Sequence, residues 1–142
     1  MGKSMNIIDL FSQNKIIQTW HSDVANLGRQ LIMGLSGSSR ALAIASAYQA
    51  NEEKIVVITP TQNEVEKLAS DLSSLIGEDK VYTFFADDVA AAEFIFASMD
   101  KAHSRLEVLN FLQDNKQSGI LITSLVGAVF YYQILKFMLK VS

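Results

Sequence analysis

The sequence predicts an α/β domain of three layers, a mostly parallel sheet with helices on both faces. From Gln30 onward, short apolar runs alternate with longer amphipathic or Ala-rich ones, the order of strand and helix in turn. Three of the short runs are nearly continuous in apolar residues, as parallel strands covered on both faces require. One segment between them carries a full helical signature with its own start and stop.

The strands are read at "QLIMGL" (30–35), "KIVVIT" (54–59), "VYTFF" (81–85) and "GILITS" (119–124). Between the first two, "SSRALAIASAYQA" (38–50) is apolar almost all round and predicts a helix buried against the sheet. In the next helix Val65, Leu68, Ala69, Leu72, Leu75 and Ile76 recur at helical spacing, with Glu64, Glu66, Lys67 and Asp71 on the other face. Thr61 followed by Glu64 makes a capping box directly after Pro60, and Gly77 supplies the stop. The stretch 87–114 predicts a short helix or loop and then a helix from about Ala102, with Leu106, Leu109 and Leu112 facing inward. Residues 6–29 read as helix and connector anchored by Ile7, Ile8, Leu10, Phe11 and Trp20. The chain therefore divides into an N-terminal helix and connector (1–29), an α/β subdomain (30–128) and an atypical apolar tail (129–142).

A length of 142 residues, 49% hydrophobic and 19% charged, supports one globular domain with a real core. The net charge of −3 gives no overall basic field, so strong nucleic-acid binding is not expected. The absence of cysteine removes disulfides and thiolate chemistry and suits a reducing compartment. No apolar run approaches the roughly 18 to 20 residues that span a bilayer, so a cytoplasmic location without a membrane partner is expected. Met5 begins a plausible natural start. The Gly-Lys-Ser before it follows no strand and is not read as a phosphate loop.

A different stretch invites that comparison. A working phosphate loop reads G-x-x-x-x-G-K-[ST]: backbone N–H groups wrap the phosphates, a lysine reaches the β and γ groups, and a hydroxyl binds magnesium. Laid on that template, Gly34-Leu35-Ser36-Gly37-Ser38-Ser39-Arg40-Ala41 keeps the first glycine. Ser39 stands at the second glycine, Arg40 at the lysine and Ala41 at the hydroxyl. Read alone, the stretch fits a plain Gly/Ser turn opening a helix better than a nucleotide loop.

Other residues offer less. Asp87 and Asp88 after an apolar run could hold magnesium, although a helix cap is the use expected of them. His103 is expected to be solvated, and His21 lacks a spaced partner ligand. Asp9, Glu93 and Asp100 form no acid/base arrangement. Arg40 and Arg105 are expected in ordinary surface ion pairs.

The segments "LIMGLSGSSRALAIASAY", "KIVVITPTQNEVEKLASDL", "FFADDVAAAEFIFASMDKAHSRLEVLNFL" and "GILITSLVGA", in that order, resemble the first subdomain of the bacterial transcription-repair coupling factors (Mfd). That subdomain belongs to a module similar to the excision-repair helicase UvrB, and the resemblance runs from about Asn6 to Ala128. It implies a RecA-like, P-loop-type subdomain whose phosphate loop (Gly34, Gly37, Ser38, Ser39, Arg40, Ala41) has decayed. No catalytic residue, metal or cofactor is then expected, since ATP in such factors belongs to a separate translocase motor whose motifs this chain lacks. It also implies a scaffold role in transcription-coupled nucleotide excision repair, within the module that recruits UvrA to stalled RNA polymerase. The UvrA contact in that family lies mostly in the next subdomain. The partners expected here are therefore other subdomains of the same factor, and exposure of the faces they cover favours self-association. The rival reading is a small P-loop ATPase or kinase with arginine at the lysine position. The tail from Val129 departs from the family, where a proline-containing stretch is expected, and a change of reading frame near Ala128 would account for it. With Phe130, Tyr131, Tyr132, Ile134, Leu135 and Phe137 close together, the tail is expected to fold back as a helix or make intermolecular contacts.

Overall fold

A computed structural model describes residues 5–26, 28–85 and 99–141 of the chain. Its helices are α1 (Ile7–Ser12), α2 (Lys15–Ala25), α3 (Ser39–Asn51), α4 (Gln62–Ile76), α5 (Met99–Gln113) and α6 (Leu125–Val141). The strands are β1 (Lys54–Thr59), β2 (Val81–Phe84) and β3 (Gly119–Ser124), with a 3-10 turn at Glu78–Lys80 leading into β2.

The three strands form one parallel sheet in the order β1-β3-β2. Lys54 pairs with Gly119 and the register continues to Thr59 against Ser124, while Val81 to Phe84 match Ile120 to Thr123. β3 is central and all six of its residues are buried, which is why Ile120, Leu121 and Ile122 are apolar in succession and the Thr123 and Ser124 hydroxyls are hydrogen-bonded. On one sheet face, Ile55, Val57, Ile120 and Ile122 pack with Ala41, Ala45 and Tyr48 of α3 and Val65 and Leu72 of α4. On the other, Tyr82, Phe84 and Leu121 meet Val108, Phe111 and Leu112 of α5 and Tyr131 of α6. Tyr82 stacks on Phe111 with ring centroids 4.3 Å apart, and Phe84 meets Tyr131 edge-on at 5.8 Å.

Local chemistry sets the element ends. The Thr61 hydroxyl accepts the Glu64 N–H at 3.3 Å, capping α4 as the sequence predicts. Gly77 ends α4 with φ of 100°, a conformation that strains any side chain. The Lys54 ammonium binds the carbonyls of Leu112 and Asp114 and lies over the Phe111 ring, putting a cation where the end of α5 is negative. The Ser124 hydroxyl accepts the Gly127 N–H at 3.1 Å and so starts α6 directly out of β3.

Several expectations are corrected. Residues 30–35 are not a strand: they run as irregular chain, with Leu31 85% and Met33 81% exposed. A strand needs a ladder partner as well as apolar side chains, and β1 and β2 both pair with β3 instead. In the N-terminal segment Ile8 is fully buried and Ile17 is also buried, whereas Ile7 and Leu10 are exposed. Asn6 and Asp9 close a capping box around α1, which turns Ile8 toward α3 and its neighbours toward water. In α5, Leu106 faces solvent and Leu109 and Leu112 are half-buried, while Val108 and Phe111 form the buried contact. Among the described residues the helix runs from Met99, ahead of Ala102. Ala128 and Val129 lie within the continuous helix α6, so the tail does fold back as a helix. The Gly-Lys-Ser of residues 2–4, Asp87, Asp88 and Glu93 lie outside the described residues.

Candidate functional site

The stretch that invites comparison with a phosphate loop leads into α3. Gly34 and Gly37 adopt φ of 85° and 55°, so both use the left-handed region that glycine alone enters freely. Between them the loop closes on itself through serines. The Ser36 N–H donates to Ser39 Oγ at 2.8 Å, Ser39 Oγ donates to the Ser36 carbonyl at 2.6 Å, and the Ser39 N–H donates to that same carbonyl at 3.2 Å. Two N–H groups at the helix entrance are thereby used within the loop. Ser38 sits at the cap position with φ of −68° and ψ of −13°, and its hydroxyl makes no capping bond.

The next two residues turn opposite ways. Arg40 points outward and its Nη1 lies 3.5 Å from Glu64 Oε2 of α4, both side chains being about half exposed. Glu64 is the residue that would complete the capping box with Thr61, and its carboxylate reaches across to α3 instead. Ala41 turns inward, 1% exposed, within the core cluster that includes Ile8, Ala45 and Tyr48. The position that would present a hydroxyl to a metal is therefore a methyl group in the hydrophobic core.

Between the loop, the end of β1 and α4 lies a cleft of about 100 Å³ lined by Gly37, Arg40, Thr59, Glu64, Lys67, Leu68 and Asp71. Its charges balance, two cations against two carboxylates. Thr59 does not offer its hydroxyl proton to the cleft, since Oγ1 donates to the Thr61 carbonyl at 2.9 Å. A small-molecule site ordinarily encloses roughly 300 to 1,000 Å³.

The remaining candidates disperse. His103 lies 3.4 Å from Glu107 one turn along α5, both exposed. His21 packs on α3, its Nε2 2.9 Å from Ser46 Oγ. Because Ser46 gives its proton to the Ala43 carbonyl at 2.8 Å, His21 must be the donor to Ser46, and the pair is not a nucleophile with its base. Burial lowers the His21 pKa from its ordinary 6.5. Asp9 serves the cap of α1. Arg105, expected at the surface, is half-buried on α5 with its Nε and Nη2 buried and not hydrogen-bonded among the described residues, and it does not line the cleft. Among the described residues no group of three or more His, Asp or Glu is placed to hold a metal, and no helix is long and apolar enough to cross a membrane. The His21–Ser46 and Arg40–Glu64 contacts join segments 25 and 24 residues apart, and no local spacing signals either of them.

Comparison with known proteins gives one consistent result. Over 97 residues, 68% of its length, the chain is 31% identical to the transcription-repair-coupling factor of Staphylococcus haemolyticus and 29% identical to that of Staphylococcus aureus. Over 90 residues it is 29% identical to the factor of the same name from Bacillus subtilis. The matched segment spans 8% of the length of each of these curated relatives. No protein-family model and no solved structure matches the chain.

Proposed function

We propose that this chain, related in sequence to a segment of the transcription-repair-coupling factors, is a non-catalytic scaffold subdomain of the RecA-like, UvrB-like kind. Its role is to form part of the module that recruits UvrA during transcription-coupled nucleotide excision repair. The observation that carries the non-catalytic reading is the state of the loop from Gly34 to Ala41. The loop serines consume the N–H groups of Ser36 and Ser39, Glu64 holds the arginine, and Ala41 is buried. Phosphoryl transfer depends almost wholly on positioning and on positive charge around the β and γ oxygens, including the metal that bridges them. Arg40 shares its charge with a carboxylate, and its planar fork does not replace a lysine ammonium among phosphates. A cleft with balanced charges adds no net attraction for a nucleotide.

The rival, a small P-loop ATPase or kinase, rests on the two glycines and on Arg40 as a substitute lysine. Measured phosphate release separates the two. The scaffold reading expects the chain with Mg-ATP to stay at background, and Arg40→Ala to leave it there. Release above background that falls in Arg40→Ala contradicts it. The proposed partners are neighbouring subdomains of the same factor, with UvrA engaged through the adjacent one. A pull-down with the chain alone is therefore expected to capture UvrA weakly or not at all, and tight capture would place the contact on this subdomain instead.

A further inference from the structure

We propose that the outer edge of β2, with the carboxylate-lined cavity beside it, is a docking surface for an extended basic peptide that adds to the sheet as a further strand. β2 pairs with β3 along one edge, and among the described residues it pairs with nothing along the other. An open edge alone selects no partner, because its N–H and C=O groups are a template for any strand. What distinguishes β2 is a cavity on each side of that edge. Towards α4 lies one of about 430 Å³, lined by Ser70, Ser73 and Ser74 of that helix and by Val81 and Thr83. Towards α5 lies another of about 550 Å³, lined by Glu78, Asp79 and Tyr82 together with Glu107 and Asn110. Glu78 and Val81 border both, so the two cavities meet where the strand begins.

Successive side chains of an added strand point to opposite faces of the sheet, so one set enters the cavity of hydroxyls and the other the cavity of carboxylates. The linings therefore specify the peptide. Glu78, Asp79 and Glu107 bring three carboxylates to the α5 side, and among the described residues no lysine or arginine lines that cavity. Lys80 lies next in the chain but lines neither cavity. His103, 3.4 Å from Glu107, offsets charge only when protonated. An acidic lining without its own cation attracts lysine or arginine and repels an acidic strand. On the α4 side the Ser74 hydroxyl donates to the Ser70 carbonyl at 3.1 Å, and a lining of serine and threonine suits small polar side chains. The occupant is accordingly a strand in which basic and small polar residues alternate. With four residues in β2 the contact is short, and main-chain bonding and charge must act together.

The test is a titration of the full chain with the capped peptide Lys-Thr-Lys-Thr-Lys-Thr, followed by amide NMR shifts and hydrogen exchange. Saturable shifts and slower exchange at Val81 to Phe84 are expected below about millimolar peptide. Glu78→Gln with Glu107→Gln, both exposed, is expected to weaken binding about fivefold or more. Glu53→Gln removes an exposed carboxylate outside both cavities and leaves binding unchanged. Two further peptides separate charge from strand addition without altering the protein. Glutamate in place of lysine keeps the backbone and loses the charge, while N-methylation throughout keeps the charge and removes every N–H; neither is expected to bind. No saturation by the lysine peptide overturns the proposal, as does equal binding of either control peptide or binding indifferent to the double change. Protection of Val81 to Phe84 that grows with protein concentration alone also overturns it, and gives the edge to a second copy of the chain.

Discussion

Replacing Gly127 by alanine probes how α6 is seated on the end of the sheet. A Cβ there is driven against the Thr123 hydroxyl, with the Phe84 carbonyl 3.2 Å and the Ser124 hydroxyl 3.4 Å away. Thr123 has little room to yield, being 4% exposed, β-branched, and bound through Oγ1 to the Phe84 carbonyl at 2.8 Å. Overpacking of this kind costs about 1–3 kcal/mol. Breaking the buried hydroxyl bond to make room costs about 1–3 kcal/mol more. Against that, alanine is better than glycine within a helix by about 1 kcal/mol. The expected net loss is about 1–5 kcal/mol, centred near 3, read as a lower urea midpoint and a melting temperature lower by roughly 10 °C. In a Thr123→Ala background the closest obstacle is gone, and the cost of Gly127→Ala falls. If the single change is neutral, or costs the same in both backgrounds, the packing account of this junction is wrong.

Ile8→Ala empties a fully buried site where α1 meets α3, and a loss of about 3 kcal/mol is expected in chemical denaturation. A loss under about 1 kcal/mol would mean that the N-terminal helices do not share the core. His21 sets a pH dependence. Burial lowers its folded pKa from 6.5, so the unfolded chain takes the proton more readily. Stability is full above that value and falls as pH drops through 6.5 toward the lowered folded value. His21→Gln keeps a donor for Ser46 without titrating, and its stability is expected to fall less between pH 7 and pH 5 than that of the parent chain. Parallel pH profiles for the two would assign the acid sensitivity elsewhere.

The elements legible in the sequence are those whose own residues specify them. α4 carries its cap at Thr61, its apolar spacing and its stop at Gly77, and each appears in the fold. β3 opens on the apolar run Ile120–Ile122 because it lies between two strands and under helices on both faces. The misreadings concern choices made by distant parts of the chain. Leu31 to Leu35 satisfy a strand's composition, but pairing is decided by an edge that the local sequence does not describe. In α5 the three leucines at spacing three drift around the helix. The largest side chain, Phe111, takes the sheet face by stacking on Tyr82. At the candidate loop the altered residue types were visible from the sequence. The serine ring from Ser36 to Ser39 and the hold of Glu64 on Arg40 were not, because both depend on backbone path and on the approach of α4.

Isothermal titration of the full chain with Mg-ATP tests the central proposal most directly. Two N–H groups of the loop are internally bonded, Arg40 is paired and Ala41 lies in the core. The scaffold account therefore predicts no heat beyond dilution up to about millimolar nucleotide. A micromolar dissociation constant that is lost in Arg40→Ala would contradict it and make the loop a working nucleotide site.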